Sequence, residues 1–140
     1  MLKYMLDTCT CIYTIKNRPQ EVREAFRRHH GQLSISTITL MELTKGAEKS
    51  TNPEANTGVI EGFAARLEVL DFDRNAATHS GQIIAELELR GQKIGAYDSQ
   101  IAGHARSQGL IVVTNNLREF ERVPGLRVEN WAANPRCDQV

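Results

Sequence analysis

The chain has 140 residues, which is close to the commonest size of a single domain. Lys plus Arg and Asp plus Glu both number 17, so the chain is not a uniformly basic nucleic-acid coat protein and would have to contact nucleic acid through a local patch. Three cysteines do not indicate a disulfide framework, no apolar run approaches the ~20 residues of a membrane span, and no secretory signal is visible, so a cytoplasmic location is expected.

Short apolar runs alternate with amphipathic segments along the chain. Strands are predicted at LKYML (2–6), LSIS (33–36), LEVL (67–70), LIVV (110–113) and RVEN (127–130). Helical patterns cover approximately 10–17, 20–30, 37–50, 54–66, 74–91 and 98–108, with a short one near 116–121. The alternation predicts an α/β, three-layer sandwich with a central, mainly parallel, roughly five-stranded sheet flanked by helices. One domain is expected over 1–131 and a flexible tail over 132–140.

The stretch YMLDTCTCIY, at the end of the first predicted strand, contains two kinds of candidate metal ligand. Cys9 and Cys11 would supply soft thiolates, and Asp7 a hard carboxylate. A structural zinc site needs four Cys or His ligands in paired spacings, and the chain has no such partners. Both cysteines are therefore interpreted as small buried apolar residues, and the carboxylate as the ligand.

Four acidic residues deserve comparison because ligands of open α/β sheets bind outside the carboxyl ends of the strands. Asp7 follows the first strand, although it could serve only as a helix N-cap. Glu42 lies in the apolar helix STITLMELTKGAEKS, and the alternative is an exposed side chain. Asp98 is in phase with the apolar stripe of its helix, although the helix dipole also favours an anion there. Glu119 forms a possible capping box with Asn116.

These acids gather at one edge of the sheet if the α/β fold is correct. Two carboxylates ~6 Å apart repel each other by about 3 kcal/mol at an effective dielectric constant of ~20, so such a cluster needs a neutralising cation. All-oxygen ligation suits Mg²⁺, with Mn²⁺ as a possible substitute. A site of this kind can polarise a phosphate and activate water, which is the chemistry of phosphodiester hydrolysis.

The sequence resembles a known family in several motifs that occur in order. MLDTCTCIY, STITLMELTKGAEKS, YDSQIAGHARSQGLIVVTNNLREFERVPGL and VENW are similar to segments of PIN-domain ribonucleases, and more narrowly of VapC toxins from type II VapBC toxin–antitoxin modules. The resemblance covers about residues 1–131. It implies that Asp7, Glu42 and Asp98 bind the metal, and that Glu119 joins them as a catalytic residue.

The resemblance also implies supporting residues and two departures from the family pattern. Thr8 matches the Ser or Thr that follows the first Asp, and we expect it to support the acids together with Thr114, Asn115 and Asn116 through hydrogen bonds. Asn116 stands where the family often has Asp, so the chain lacks one carboxylate that could help to bind a second metal ion. Cys9 stands where the family often has Asn.

The activity implied by the resemblance is Mg²⁺-dependent endoribonuclease cleavage of tRNA, with the anticodon region of initiator tRNA as the expected target. The reaction would inhibit translation and leave a 5′-phosphate and a 3′-hydroxyl. The expected partners are a VapB-type antitoxin, which alone contacts operator DNA, and a second copy of the chain in a homodimer. No membrane association is expected.

Cations at the rim would have to offset the repulsion between the acidic site and RNA. The candidates are Lys45, Lys49, Arg90 and Lys93, although each could equally be a solvated helix charge. The four histidines are interpreted as ordinary surface or core residues, and His104 as lying off the apolar stripe of its helix.

Two other classes of protein stay open on the residues alone. A signalling receiver also has an Asp after its first strand, but it would need a second acid there and a Lys after its last strand, which RVENW lacks. An interaction scaffold would use the acids only as helix caps.

Overall fold

The computed structural model describes residues 1–16 and 18–132, and in it strands and helices follow the predicted order. The strands are β1 Tyr4–Leu6, β2 Leu33–Ser36, β3 Glu68–Leu70, β4 Ile111–Val113 and β5 Val128–Glu129. The helices are α1 Thr8–Ile15, α2 Gln20–Arg28, α3 Thr37–Glu48, α4 Pro53–Ala64, α5 Arg74–Leu89, α6 Ala96–Gln108 and α7 Leu117–Phe120. The predicted elements are confirmed, with small differences at their ends.

The sheet has the strand order β3-β2-β1-β4-β5, and all its described pairings are parallel. Tyr4 of β1 pairs with Leu33 on one side and Ile111 on the other, so β1 is the central strand. All three β1 residues are buried, as expected for a strand covered on both faces. The predicted α/β sandwich is confirmed.

Successive side chains of β1 point to the two faces of the sheet and enter two separate apolar cores. Met5 packs in a core with Ile83 of α5 and Ile101 of α6. Leu6 packs in the other core, which α2, α3 and α4 complete. The sheet is therefore the middle layer of three, and the carboxyl ends of its strands form one edge.

The helix ends follow local capping chemistry. Asp7 begins α1 by accepting a hydrogen bond from the Thr10 backbone N–H at 2.9 Å, so the helix begins earlier than predicted. Pro53 occupies the first turn of α4, where its missing N–H leaves no hydrogen bond unmade, so α4 begins one residue before the predicted range of 54–66. Gly109 ends α6 in the left-handed conformation with φ 69°, which glycine adopts without a steric penalty.

Three further expectations have different outcomes. Cys11 is a buried free thiol as expected, but Cys9 is disulfide-bonded, so the interpretation of Cys9 as a simple apolar residue is wrong. The predicted tail lies outside the described residues apart from Ala132. Among the helices of the described part of the chain, none is long and apolar enough to cross a membrane.

Candidate active site

Asp7 lies at the carboxyl end of the central strand and is 3% exposed. Its backbone N–H donates to the Val113 carbonyl at 3.0 Å, which fixes its place beside β4. Burial raises the pKa of Asp7, and the negative charge of Glu42 adds to the effect, while hydrogen bonds from Thr114 and Thr10 oppose it. Asp7 is thus both a helix cap and a buried acid of the strand edge.

Glu42 is half-buried on α3 and connects that helix to α1. The Thr8 hydroxyl donates to Glu42 Oε1 at 2.5 Å, a short hydrogen bond of the kind that charged acceptors form. The alternative of a fully exposed Glu42 is therefore wrong. Thr8, which the family resemblance singled out, orients the carboxylate of the second acid.

Asp98 is half-buried in the first turn of α6, where Gly95 rather than Asp98 is the N-cap. The pKa of Asp98 rises to about 7, first because burial disfavours its charged form and then because Asp7, Glu119 and Glu42 repel it. The alternative in which Asp98 only caps its helix does not account for this surrounding of like charges.

Glu119 lies on α7 and reaches the beginning of α6. Its Oε1 accepts a hydrogen bond from the Gly95 backbone N–H at 3.4 Å. The Asn116 side chain forms no cap hydrogen bond, so the capping-box alternative is wrong. Instead the Asn116 backbone N–H donates to the Thr114 hydroxyl at 2.9 Å, which closes a tight turn after β4.

The two polar residues that follow β4 have separate partners. Thr114 is fully buried and its side chain hydrogen-bonds to Asp7. Asn115 donates from Nδ2 to the Tyr13 hydroxyl at 3.1 Å, which joins this turn to α1. Thr114 therefore supports an acid directly, whereas Asn115 holds the wall of the site.

The arrangement brings the four acids into one electrostatic cluster at the strand edge. Within residues 1–16 and 18–132, however, no three His, Cys, Asp or Glu side chains form a group that could already hold a metal ion. Carboxylates that repel one another need a counter-charge before they can close around it. The donor set is made only of carboxylate and hydroxyl oxygens, which fits a hard divalent ion.

The four candidate RNA-binding cations have different environments. Lys45 Nζ lies 5.9 Å from the ring centroid of exposed Tyr97, the residue before Asp98, so Lys45 is at the rim of the acidic cluster. Arg90 instead forms an ion pair with Glu86 on its own helix. Lys49 and Lys93 are exposed, at the C-cap of α3 and in the loop before α6.

Sequence reasoning missed three residues around the cluster. Gly95 supplies the backbone N–H to Glu119, and Tyr97 brings an aromatic ring to the rim. His104 is fully buried rather than off the apolar stripe, because α6 is covered on nearly all sides and has no exposed stripe in its middle. The run IAGHA, which has no other polar side chain, was the available signal.

Residues 4–126 match the PIN domain family. The chain is 63% identical over 131 residues to the tRNA(fMet)-specific endonuclease VapC of Salmonella typhimurium, covering 94% of this chain and 99% of that protein. It is 56% identical over 131 residues to ribonuclease VapC2 of Haemophilus influenzae, with 94% and 99% coverage. The crystal structure of DNA-bound VapBC from Salmonella typhimurium aligns with a TM-score of 0.90 at 62% identity, covering 94% of this chain and 100% of that chain.

Proposed function

Because the chain belongs to the VapC ribonucleases of the PIN-domain family, we propose that it is a toxin whose acidic cluster cleaves tRNA. The observation that carries the proposal is Asp98, a partly buried carboxylate that also faces Asp7, Glu119 and Glu42 at the edge where α/β proteins bind ligands. Burial first, and then repulsion by these carboxylates, raises the pKa of Asp98 to about 7. Family membership decides against the receiver and scaffold alternatives.

A divalent metal ion is general to PIN-domain nucleases, and Mg²⁺, with Mn²⁺ as a substitute, is the ion that we propose here. Asp7, Glu42 and Asp98 would hold it. When bound, the ion lowers the pKa of water and polarises the scissile phosphate. The protein fixes the carboxylates for this task, since Thr8 orients Glu42 and Thr114 orients Asp7.

Glu119 and Asn116 are proposed to orient the attacking water. Glu119 is held beside Asp98 by the Gly95 N–H, and Asn116 follows the turn that Thr114 closes. In-line attack of the water oxygen on phosphorus would break the bond between phosphorus and the 3′-oxygen. The 3′-oxygen would take up a proton and leave as a 3′-hydroxyl, and the 5′-oxygen of the other fragment would keep the phosphate. Lys45 is the best placed of the four candidate cations to contact the RNA backbone, because it lies beside the residue that precedes Asp98.

The proposed substrate is initiator tRNA, cut in the anticodon region. A relative that is 63% identical over nearly its whole length is named for tRNA(fMet), and the VapC fold is retained over this full-length match. The location that this substrate requires is the cytoplasm.

The proposed partner is a VapB-type antitoxin, which alone would contact operator DNA. A groove of about 230 Å³ lies between α1, α3 and α4, and Glu42 is one of the residues that line it. Its walls are mainly apolar, formed by Ile12, Ile15, Leu43, Val59 and Ile60. An antitoxin segment with apolar side chains would fit this groove and reach the acids, in line with the VapBC complexes among the structural relatives. A homodimer of the chain is also proposed.

The direct test is cleavage of purified initiator tRNA in Mg²⁺ by Asp7→Asn and Asp98→Asn proteins. Removing a carboxylate of the site should lower the rate by at least about 100-fold, as loss of groups that act on the transition state does. Asp73→Asn is the matched control, since exposed Asp73 caps α5, is not among the acids that act on Asp98, and Asn caps equally well. Wild-type rates for either site variant, or equal loss in the control, would refute the site.

A further inference from the structure

His104 lies in the middle of α6 and has no exposed surface, although its imidazole is polar. Its Nδ1 lies 2.9 Å from the hydroxyl oxygen of Ser36, the last residue of β2 and the N-cap of α3. The contact joins α6 to the beginning of α3 across 68 residues of sequence. A buried side chain-to-side chain hydrogen bond of this kind fixes two elements relative to each other.

The Ser36 hydroxyl group has hydrogen-bond contacts with both Ile38 and His104. The Ser36 oxygen accepts from the Ile38 backbone N–H at 3.0 Å, which caps α3. Donation of the hydroxyl proton to His104 Nδ1 gives this proton a partner and corresponds to the tautomer with the ring proton on Nε2, whereas in the other tautomer Nδ1–H donates to the second lone pair of the Ser36 oxygen. Burial lowers the pKa of His104, against the opposing charges of Asp73 and Asp71, which keeps the ring neutral and able to accept.

The surroundings show that His104 does not act on substrate. The edge contact with Phe72 has a centroid distance of 5.7 Å and an interplanar angle of 87°. The Phe72 backbone N–H donates to the Thr37 hydroxyl at 3.0 Å, so this aromatic ring is tied to the same end of α3. His104 Nε2 is buried without a partner among the described residues, and Nδ1 is the ring's one polar connection there.

The two helices that His104 and Ser36 join are the ones that carry two of the acids. Glu42 lies six residues after Ser36 on α3, and Asp98 lies six residues before His104 on α6. Six residues of helix advance by about 9 Å, so both acids are the same distance along their helices from the contact. Lys45, three residues after Glu42 on α3, has its Nζ 5.9 Å from the ring centroid of Tyr97, the residue before Asp98, so the two helices approach each other where they carry the acids.

We propose that His104 is a positioning residue which, through Ser36, sets the separation of Glu42 and Asp98 and thereby the affinity of the acidic cluster for a divalent ion. The proposal rests on the function proposed above. The carboxylates repel each other and cannot hold their own spacing, so the neutral hydrogen bond behind them supplies part of the restraint. Loss of the bond lets α3 and α6 separate at the acidic edge.

Two near-isosteric variants isolate this bond. The amide of Asn reaches the position of imidazole Nδ1, whereas the amide of Gln reaches that of Nε2. His104→Asn should therefore retain the contact with Ser36, and His104→Gln should lose it. His30→Gln makes the same chemical change at an exposed histidine and is the control.

The measurement is calorimetric titration of each full-length protein with Mn²⁺ alone, at a temperature where circular dichroism shows all variants folded. We expect His104→Gln to weaken Mn²⁺ binding about fivefold, the usual weight of one buried hydrogen bond, with His104→Asn within about twofold of wild type. Ser36→Ala should weaken binding similarly, and adding His104→Gln to it should change nothing further.

Each other outcome contradicts the proposal. If His104→Gln binds Mn²⁺ as tightly as wild type, or if the Asn and Gln variants lose equal affinity, His104 has no positioning role. The proposed function still stands in that case, as long as the wild-type protein binds Mn²⁺. A wild-type protein that binds no Mn²⁺ contradicts the proposed function, and this inference with it.

Discussion

The two ends of α6 are stabilised in opposite ways. At its beginning Asp98 is partly buried and faces like-charged carboxylates, and burial first, then this repulsion, raises its pKa to about 7. Near its end Arg106 donates hydrogen bonds to His79 and Gln82 of α5 and to the Pro124 carbonyl. The beginning of the helix is therefore under electrostatic repulsion, and the end is tied to its neighbours.

This difference indicates how the fold tolerates a charged cluster. Acids that repel one another cannot restrain their own positions, so the helix that carries Asp98 must be held elsewhere. The contact of α6 with α5 is very close, since an added Cβ at Gly103 would lie 2.1 Å from Ser80 Oγ and 2.6 Å from Ser80 Cα. Rigidity at the end of α6 thus serves the site at its beginning.

The largest effect is expected from Gly103→Ala. The new methyl group would overlap the Ser80 backbone, which cannot rotate away as a side chain could, so α5 and α6 must separate. We expect a loss of about 3 kcal/mol in the free energy of unfolding, measured by urea denaturation. Gly81→Ala is the control, because its Cβ meets nothing within 4 Å and Ala favours a helix by about 1 kcal/mol. If Gly103→Ala left the free energy of unfolding unchanged, the close contact between α5 and α6 would be contradicted.

The next effect concerns the repulsive end of the helix. The folded pKa of Asp98, about 7, is above its ordinary value of 3.8, so its ionisation destabilises the metal-free protein. The penalty is absent below about pH 4, grows as the pH rises to about 7, and is then constant. Asp98→Asn should therefore stabilise metal-free protein by about 2 kcal/mol at pH 8, after allowance for partial exposure, and by little at pH 4.

Thermal melts at both pH values, in EDTA and in Mn²⁺, check this prediction. In Mn²⁺ at pH 8 the wild-type protein should be more stable than Asp98→Asn, because the wild-type carboxylate then faces a cation. Asp73→Asn should show neither the pH dependence nor the reversal. An Asp98→Asn protein that is less stable than wild type in EDTA at pH 8 would mean that Asp98 is not under repulsion.

A smaller effect is expected from Arg106→Lys at the anchored end. The guanidinium reaches acceptors on α5 and on the loop before β5 at once, and a Lys ammonium cannot span them. We expect a loss of about 1–2 kcal/mol in urea denaturation. Arg127→Lys, which alters one exposed hydrogen bond to the Gly109 carbonyl, should cost less than about 0.5 kcal/mol. Equal losses of unfolding free energy in the two variants would show that Arg106 does not hold the end of α6 more strongly than an exposed arginine would.

The sequence predicted the elements well because local signals agreed with the tertiary structure. The helical pattern predicted over 98–108 ends where α6 ends, and the run at 110–113 contains the fully buried β4. Asp7, Glu42 and Asp98 could be proposed as partners because the strand ends of a parallel sheet and the helices beside them meet at one edge, and because the resemblance to the family implied this set. The common location thus followed from topology, not from spacing in the sequence.

What the sequence could not predict depends on contacts between distant elements. His104 looked ordinary because helical periodicity does not reveal that α6 is buried on nearly all sides in its middle. The Asn116-x-x-Glu119 pattern satisfied a local rule, yet Glu119 turns to Gly95 of another segment, a tertiary choice that overrides the capping box. Cys9 is disulfide-bonded, which an odd number of cysteines had argued against.

The smallest effect is expected at the rim of the acidic cluster, where Lys45 and Arg90 can be compared. Lys45 lies over exposed Tyr97 beside Asp98, whereas Arg90 is paired with Glu86 on its own helix. In an Asp98→Asn background that prevents cleavage, Lys45→Gln should weaken binding of initiator tRNA about threefold, since one phosphate contact is lost. The slope of log K against log salt concentration should become shallower by about 0.7–0.9, the contribution of that one contact. Arg90→Gln should change neither quantity, because its charge is already neutralised.

Fluorescence anisotropy at several salt concentrations measures both the affinity and its salt dependence. Equal losses of affinity from Lys45→Gln and Arg90→Gln would mean that a diffuse surface charge attracts the RNA without a particular contact at the rim.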